Sequence, residues 1–80
     1  MKTFHLTIAK VGENLFDGEA MSVSIPGVEG VFQILADHEA FVSELREGVV
    51  HVKDAEGRTL EFTVSRGIAE VSSNQATILL

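Results

Sequence analysis

The sequence predicts an all-β fold, a two-layer antiparallel β-sandwich of about ten short strands formed by a single domain, residues 1–80. Two observations lead to this prediction. Turn residues recur at short intervals along the whole chain, so the elements between them are short. Between the turns, apolar and polar residues alternate with a period of two, which is typical of half-buried strands.

The length and composition of the chain explain why two layers are expected. Its 80 residues are enough for one domain, and 45% of them are apolar. A single layer of elements would leave too many of these side chains in water, so a second layer must pack on the first. A chain of this size buries only about 60% of its unfolded surface, and the apolar residues left exposed favour contact with a partner.

The alternation assigns one face of each strand to the core. The predicted inward residues, in chain order, are Phe4, Leu6 and Ile8; Met21, Val23 and Ile25; Val50 and Val52; Leu60, Phe62 and Val64; and Ala76, Ile78 and Leu80. Turns are predicted at Asp17-Gly18, Pro26-Gly27 and Ser73-Asn74, among others. Residues 49–53 and 58–65 form a hairpin, with Gly57 at a left-handed position of its turn.

Residues 37–48 fit two different elements. Asp37 is a good N-cap, Phe41 and Leu45 are spaced by four, and Gly48 follows the last turn, so local rules favour a short helix. The extended alternative places Phe41, Ser43 and Leu45 on one face of a strand. The residues alone leave this choice open.

The charge and the cysteine content exclude several function classes. Twelve acidic residues against six basic ones give a net charge of −6, and the basic residues form no cluster, so no nucleic-acid partner is expected. The absence of cysteine excludes disulfides and thiolate chemistry. No stretch approaches the roughly 20 apolar residues of a membrane-spanning helix. We therefore expect no direct membrane insertion, and a cytosolic chain or one bound to a cytosolic face.

No combination of residues predicts catalysis or a cofactor. The segment Gly27-Val28-Glu29-Gly30 lacks the Lys and Ser/Thr of a phosphate loop, and its Glu would repel an anion. No Gly-x-Ser-x-Gly elbow accompanies the serines, and the scattered acids nominate no catalytic pair. We predict no catalytic residue and no cofactor.

The residues themselves leave two functional hypotheses open. The first is a small ligand- or metal-binding module that uses the turn Asp37-His38-Glu39, or His5 and His51 if their strands are neighbours. Solvated side chains are the favoured interpretation of these groups, so no metal is predicted. The second alternative is an interaction domain that forms a homodimer through its exposed apolar strands.

A series of short motifs, in a fixed order and spacing, resembles a known family. The motifs are Phe4-His5-Leu6-Thr7-Ile8, Leu15-Phe16-Asp17-Gly18-Glu19-Ala20, Ile25-Pro26-Gly27-Val28-Glu29-Gly30, Phe32-Gln33-Ile34-Leu35, Gly48-Val49-Val50-His51-Val52, Gly67-Ile68-Ala69-Glu70-Val71 and Ala76-Thr77-Ile78-Leu79. His38 stands where the family has the His of a Pro-Gly-His-Ala-Pro turn. Together they resemble the N-terminal β-sandwich of the epsilon subunit of F-type ATP synthases, a subunit that is called delta in mitochondria.

The resemblance implies a fold, and it resolves the ambiguous segment. In this family residues 41–45 would be extended, because cross-strand packing overrides the local helical preference. Many family members continue into a C-terminal helical hairpin that inhibits ATP hydrolysis. The present sequence ends at Leu80, directly after the last predicted strand, so we expect no contribution from that hairpin within these residues.

The resemblance also implies a function. It predicts a non-catalytic rotor subunit of the central stalk, which docks the gamma subunit onto the c-ring and couples ion-driven rotation to ATP synthesis. By position, Glu29, Gly30 and Val31 would contact the c-ring, whereas Lys10, His38 and Ser43 would contact gamma. The predicted location is peripheral, on the cytoplasmic face of the bacterial cell membrane.

Overall fold

Eight strands joined by turns make up the described part of the chain. The computed structural model describes residues 2–37 and 39–80, and no helix occurs among them. The strands are β1 Phe4–Lys10, β2 Glu13–Gly27, β3 Gly30–Leu35, β4 Phe41–Leu45, β5 Gly48–Asp54, β6 Thr59–Val64, β7 Gly67–Ser72 and β8 Gln75–Leu79. The predicted all-β class is confirmed.

β2 is one long strand where the sequence predicts two shorter ones, and the structure has eight strands where about ten were predicted. It runs for 15 residues, so the predicted turn at Asp17-Gly18 is wrong. Gly18 instead lies opposite Leu6 within the β1–β2 ladder. The prediction of about ten strands failed here because a Gly in a strand interior was interpreted as a turn residue.

The two layers are built on the two halves of β2. Its first half pairs with β1, which continues through β8 and β7 to β4. Its second half pairs with β3 on one side and β5 on the other, and β6 follows β5. The first layer is therefore β2, β1, β8, β7 and β4, and the second is β3, β2, β5 and β6.

One strand pair departs from the predicted antiparallel arrangement. β1 and β8 run parallel, with His5 opposite Gln75 and Ala9 opposite Leu79. Parallel neighbours need a long connection between them, and the first and last strands of the chain have the whole domain as their connection. The other strand pairs described here are antiparallel.

The inward residues of both layers form one apolar core with members from all eight strands. Leu6, Ile8 and Ile25 are among those that are completely buried, as the alternation predicts. Met21 is an exception and is half-buried, because the register between β2 and β5 shifts between Ala20 and Ser22. This bulge changes the side to which Met21 points, an effect that strict alternation cannot anticipate.

The ambiguous segment is a strand. β4 pairs with β7 from Phe41 to Leu45, and Leu45 is 3% exposed. The helical alternative is wrong, and the extended conformation implied by the family resemblance is confirmed. The pairing with β7 supplies hydrogen bonds and buries Leu45, and these long-range interactions outweigh the local helical preference.

The turn of the β5–β6 hairpin is organised by a buried carboxylate. Asp54 is 4% exposed and accepts hydrogen bonds from the backbone N of Glu56 (2.9 Å) and from the backbone N (2.8 Å) and Nε (2.9 Å) of Arg58. Burial raises the pKa of Asp54, but these hydrogen bonds and the Arg58 charge outweigh it and hold the pKa below its usual value. Gly57 has a φ of 87°, so its predicted left-handed position is confirmed.

Candidate protein-docking site

The turn between β2 and β3 forms a projecting tip, which we define as residues 26–31. Gly27 lies opposite Gly30, and Val28 and Glu29 occupy the turn between them. Glu29 and Gly30 are exposed, and Val31 is 75% exposed. The three residues that were predicted to contact the c-ring are therefore adjacent and accessible.

The two glycines of the tip are required for different reasons. Gly30 has a φ of 133°, which is strained for any residue with a side chain. A Cβ on Gly27 would lie 2.8 Å from Cε1 of Phe32 and 2.9 Å from the backbone O of Gly30. The tip therefore combines a special backbone conformation with close packing.

The tip is fastened to β4 and is not a free hairpin end. The backbone N of Val28 donates to O of Glu44 (3.0 Å), and the backbone N of Arg46 donates to O of Pro26 (2.9 Å). Between these two bonds, Gly27 pairs with Leu45. The tip is thus held by the opposite layer as well as by β3, which restricts its motion.

One side of the tip is an aromatic depression of about 490 Å³. It is lined by Val28, Glu29, Gly30, Phe32, Phe41, Val42, Ser43 and Glu44. The rings of Phe32 and Phe41 pack edge to face, with centroids 5.0 Å apart. Among its lining residues are two carboxylates and no basic side chain, so it suits an apolar partner group that carries a positive charge.

The other side of the tip borders a second depression of about 600 Å³, which we call the Arg46 depression. Gly30 and Val31 line it together with Arg46, Glu47 and His51, among others. Gly30 therefore separates two surfaces of different charge. A partner that covers the tip would meet carboxylates on one side and a mixed set of charges on the other.

The predicted gamma contacts are distributed over two regions. Ser43 is half-buried, lines the aromatic depression, and donates its Oγ hydrogen to O of Glu44 (3.1 Å). Lys10 ends β1, with Nζ 3.5 Å from Oε1 of Glu13. Ser43 is thus close to the predicted ring contacts, whereas Lys10 is not part of the tip.

The register of the first layer relates Lys10 to β4. Ala9 lies opposite Leu79, Leu79 opposite Ile68, and Ile68 opposite Glu44. Three strand spacings separate the two ends of this row, which is about 14 Å. Lys10 follows Ala9, so it lies at the same end of the layer as the C-terminal part of β4.

The third predicted gamma contact, His38, lies outside the described residues. The residue before it, Asp37, has a φ of 61°. Its carboxylate accepts from Nζ of Lys2 (2.7 Å), and its backbone N donates to Oδ1 of Asn74 (2.7 Å). The turn after β3 is thus connected to Lys2, which precedes β1, and to Asn74 of the β7–β8 turn.

The structure separates the histidines that were considered as a metal pair. His5 is in β1, which pairs with β2 and β8, whereas His51 is in β5, which pairs with β2 and β6. Nδ1 of His51 lies 3.3 Å from Oε2 of Glu61. The hypothesis that the two histidine strands are neighbours is wrong.

His5 has its own acidic neighbours. Nε2 is 2.6 Å from Oδ1 of Asp17, and Nδ1 is 3.3 Å from Oε2 of Glu19. The other oxygen of Glu19, Oε1, accepts from Oγ1 of Thr3 (2.8 Å). The two carboxylates contact opposite ring nitrogens, so they do not converge on one point. Among residues 2–37 and 39–80, no group of three His, Asp or Glu side chains is arranged to hold a metal ion.

Sequence reasoning missed the residues that shape the tip. Phe32, Phe41 and Glu44 line the aromatic depression, and Arg46 anchors Pro26 and lines the opposite surface. The extended alternative for residues 41–45 predicts that this segment is a strand, so it could have indicated that Phe41 and Glu44 belong to the sheet. It could not indicate that the strand pairs with the tip, because that pairing joins segments far apart in the sequence.

The fold and the tip together define a β-sandwich domain with an exposed tip that is hydrogen-bonded to β4. A sequence profile described as "ATP synthase, Delta/Epsilon chain, beta-sandwich domain" matches residues 3–80. The chain belongs to this family. In the described part of the chain no helix is long and apolar enough to cross a membrane.

Two curated relatives illustrate the range of chain lengths in the family. The ATP synthase epsilon chain of Caulobacter vibrioides is 40% identical over 79 residues, which are 99% of this chain and 91% of that protein. The ATP synthase epsilon chain of a Bradyrhizobium species is also 40% identical over 79 residues, but these are 58% of that protein. The chain therefore spans nearly all of one relative and little more than half of the other.

Two solved structures share the fold. A chain in the mitochondrial ATP synthase of Euglena gracilis, described as OSCP/F1/c-ring in rotational state 1, superimposes with a TM-score of 0.90 and 25% identity. The match covers 96% of this chain and 49% of that one. A chain in the central stalk and c-ring of the Tetrahymena thermophila mitochondrial ATP synthase gives a TM-score of 0.80 at 16% identity, covers 98% of this chain and 63% of that one, and shows the fold alone.

Proposed function

We propose that this domain is part of a rotor subunit of an F-type ATP synthase, which docks gamma onto the c-ring and couples ion-driven rotation to ATP synthesis without taking part in catalysis. The observation that supports it most directly is the tip, which projects three accessible residues and is fastened to both layers. Family membership supplies the context, and the Caulobacter epsilon chain is similar over 91% of its length.

The c-ring contact is assigned to Glu29, Gly30 and Val31. They project together at the tip, and Val31 is an exposed apolar residue whose burial would favour docking. Glu29 adds a negative charge beside that of Glu44 in the aromatic depression. We expect the ring surface that meets the tip to carry positive charge next to an apolar group.

The gamma contact is assigned to Lys10, Ser43 and His38. Lys10 and the C-terminal part of β4 lie at one end of the first layer, so one partner surface can cover both. Ser43 lies near the tip, which would bring the gamma contact and the ring contact close together. His38 lies outside the described residues, so its proposed contact with gamma rests only on its position in the family motif.

The role requires force transmission and no chemistry. A close-packed core transmits strain with little deformation, and here a single core joins all eight strands of the described part. The proposed location is peripheral, on the cytoplasmic face of the bacterial cell membrane. The curated relatives from Caulobacter and Bradyrhizobium are bacterial proteins, which supports this location.

Co-expression with the gamma and c subunits tests the proposal. A stable one-to-one complex with gamma is expected, and the ring should join it. Replacing Glu29 by Lys reverses the charge at the tip and should weaken association with the ring at low salt, with a smaller effect at high salt because the charges are then screened. The affinity for gamma should change less.

Glu56→Lys is the matched control, because it makes the same charge change at an exposed position of the β5–β6 turn, at the opposite end of β5 from Gly48 and Val49, which lie beside the tip. It should leave ring binding as in the unmodified chain. No complex with gamma would contradict the rotor assignment. If both substitutions weaken ring binding equally, the effect is one of general charge, and Glu29 is not a specific contact of the ring.

A further inference from the structure

The connection between β3 and β4 takes the chain from the second layer to the first. It comprises residues 36–40, because β3 ends at Leu35 and β4 begins at Phe41. His38, the proposed gamma contact, belongs to this connection and lies outside the described residues. The residue before it, Asp37, shows how the connection is attached to the rest of the domain.

The side chain of Asn74 binds two distant segments at once. Its Oδ1 accepts a hydrogen bond from the backbone N of Asp37 (2.7 Å), and its Nδ2 donates to the backbone O of Thr3 (3.0 Å). A backbone N–H can only donate and a carbonyl can only accept, so these two partners fix the orientation of the amide. We call this arrangement the Asn74 bridge, and it joins the β3–β4 connection to the residue before β1.

The turn between β7 and β8 presents this amide in a defined direction. Ser73 and Asn74 have φ of 52° and 57°, and the strand residues on either side of them are paired, so they form a two-residue hairpin turn with two left-handed positions. The backbone O of Asn74 also accepts from the backbone N of His5 (3.2 Å). Such a turn favours glycine at its second position, and asparagine tolerates the same conformation while adding an amide.

The bridge acts directly on the backbone of Asp37. This residue has a φ of 61°, a conformation that a residue with a side chain keeps only where its surroundings hold it. Its carboxylate also accepts from Nζ of Lys2 (2.7 Å), but the two side chains are 58% and 80% exposed, and exposed ion pairs contribute little. The hydrogen bond to Asn74 is therefore the contact that best explains the left-handed backbone before His38.

We propose that Asn74 is a positioning residue for gamma binding, whose side-chain amide restricts the backbone that leads into His38. This inference rests on the proposed function, because that function assigns His38 to gamma. Asn74 itself needs no contact with gamma in this role. It would act by keeping the connection in one arrangement before the partner arrives, which lowers the cost of ordering it on binding.

The size of the effect follows from the population that the bridge maintains. A partner that binds one arrangement of a segment loses affinity in proportion to the time the segment spends in other arrangements. A hydrogen bond of this kind changes such a population by about two- to tenfold. We therefore expect loss of the amide to weaken gamma binding by roughly fivefold.

Asn74→Gly tests the proposal, because it removes the bridge and keeps a residue that adopts the left-handed conformation readily. Hydrogen exchange by NMR on the 80-residue chain should show the Asp37 amide exchanging roughly fivefold faster. Titration with purified gamma should show an affinity that is weaker by a similar factor. Ser73→Gly is the matched control at the other left-handed position of the turn, and its side chain takes part in neither bond of the bridge, so both values should stay unchanged.

A double-mutant cycle separates positioning from a general structural effect. If Asn74 acts through His38, Asn74→Gly should change the gamma affinity by less than about twofold in a chain that already carries His38→Ala. In a chain that carries Lys10→Ala, the full effect should persist, because Lys10 lies at the far end of β1 from Thr3. A merely structural role would give additive effects with both partners.

The outcomes distinguish this inference from the function on which it rests. Faster exchange at Asp37 with an unchanged gamma affinity would overturn the positioning role and leave the proposed function intact. Additive effects of Asn74→Gly and His38→Ala would do the same, and so would an Asp37 amide whose exchange Asn74→Gly does not alter. An unmodified chain that fails to bind gamma would contradict the proposed function itself, and the positioning role with it.

Discussion

Replacing Gly27 by alanine tests how rigidly the tip is held. A Cβ at this position would lie 2.8 Å from Cε1 and 3.1 Å from Cδ1 of Phe32, well inside the 3.4 Å at which ordinary contact begins. It would also lie 2.9 Å from the backbone O of Gly30. Neither group can move freely, because the Phe32 ring packs on Phe41 and Gly30 closes the turn.

The expected loss of stability follows from these two obstacles. Overpacking a close-packed site costs about 1–3 kcal/mol. Displacing the ring of Phe32 also disturbs its edge-to-face contact with Phe41, which is worth about 0.5–1.5 kcal/mol. We therefore expect Gly27→Ala to lower the free energy of unfolding by roughly 2–4 kcal/mol, a large part of the 5–15 kcal/mol typical of a domain.

Gly18→Ala provides a control within the same strand. Its Cβ would have nothing closer than Phe16 Cζ at 3.8 Å, which is ordinary contact, and Gly18 does not have a positive φ. Its effect should stay within about 1 kcal/mol and can be stabilising. Urea unfolding at equilibrium measures both variants. If the two variants agree within about 0.5 kcal/mol, the tip accommodates the extra atom and the argument for its rigidity is wrong.

Two further predictions concern the core and the β5–β6 turn. Leu6→Ala, at a position with 0% exposure, should cost about 2–5 kcal/mol in urea unfolding because it leaves a cavity in the core; a loss below about 1 kcal/mol would contradict complete burial. The pKa of Asp54 is lowered on folding, so its stabilisation is complete above the unfolded value of 3.8 and is lost as the pH falls through the lower folded value. Asp54→Asn should therefore make the free energy of unfolding depend less on pH in the acid range. An unchanged dependence would show that Asp54 does not contribute to acid unfolding.

The sequence predicts the fold class and most of the core because both depend on local alternation. Phe4, Leu6 and Ile8 alternate with polar residues, and the structure buries all three. The pattern fails where a strand is not regular. Gly18 lies within β2 although it resembles a turn residue, and the bulge beside Met21 changes the side to which that residue points.

The sequence predicts which residues of the tip are exposed, but it does not predict the depressions that surround the tip. Glu29, Gly30 and Val31 follow a turn motif that the sequence displays, and family position assigned them a partner. The aromatic depression depends on Phe41 and Glu44 of β4, whose approach to the tip is set by the pairing of Gly27 with Leu45. Such a pairing between distant segments is decided by the packing of whole layers, so local patterns do not determine it.

The register connects the tip with the Lys10 end of the first layer. A continuous row of paired backbone runs from Gly27 to Leu45 and on to Gly67, where a side chain would collide with the backbone O of Leu79. From β8 the row reaches β1 through the hydrogen bond between N of Leu80 and O of Ala9 (2.8 Å), next to Lys10. A load applied at the tip would therefore be carried across the first layer by paired backbone. The proposed ring contact and the Lys10 end of the layer are connected in this way without a flexible element between them.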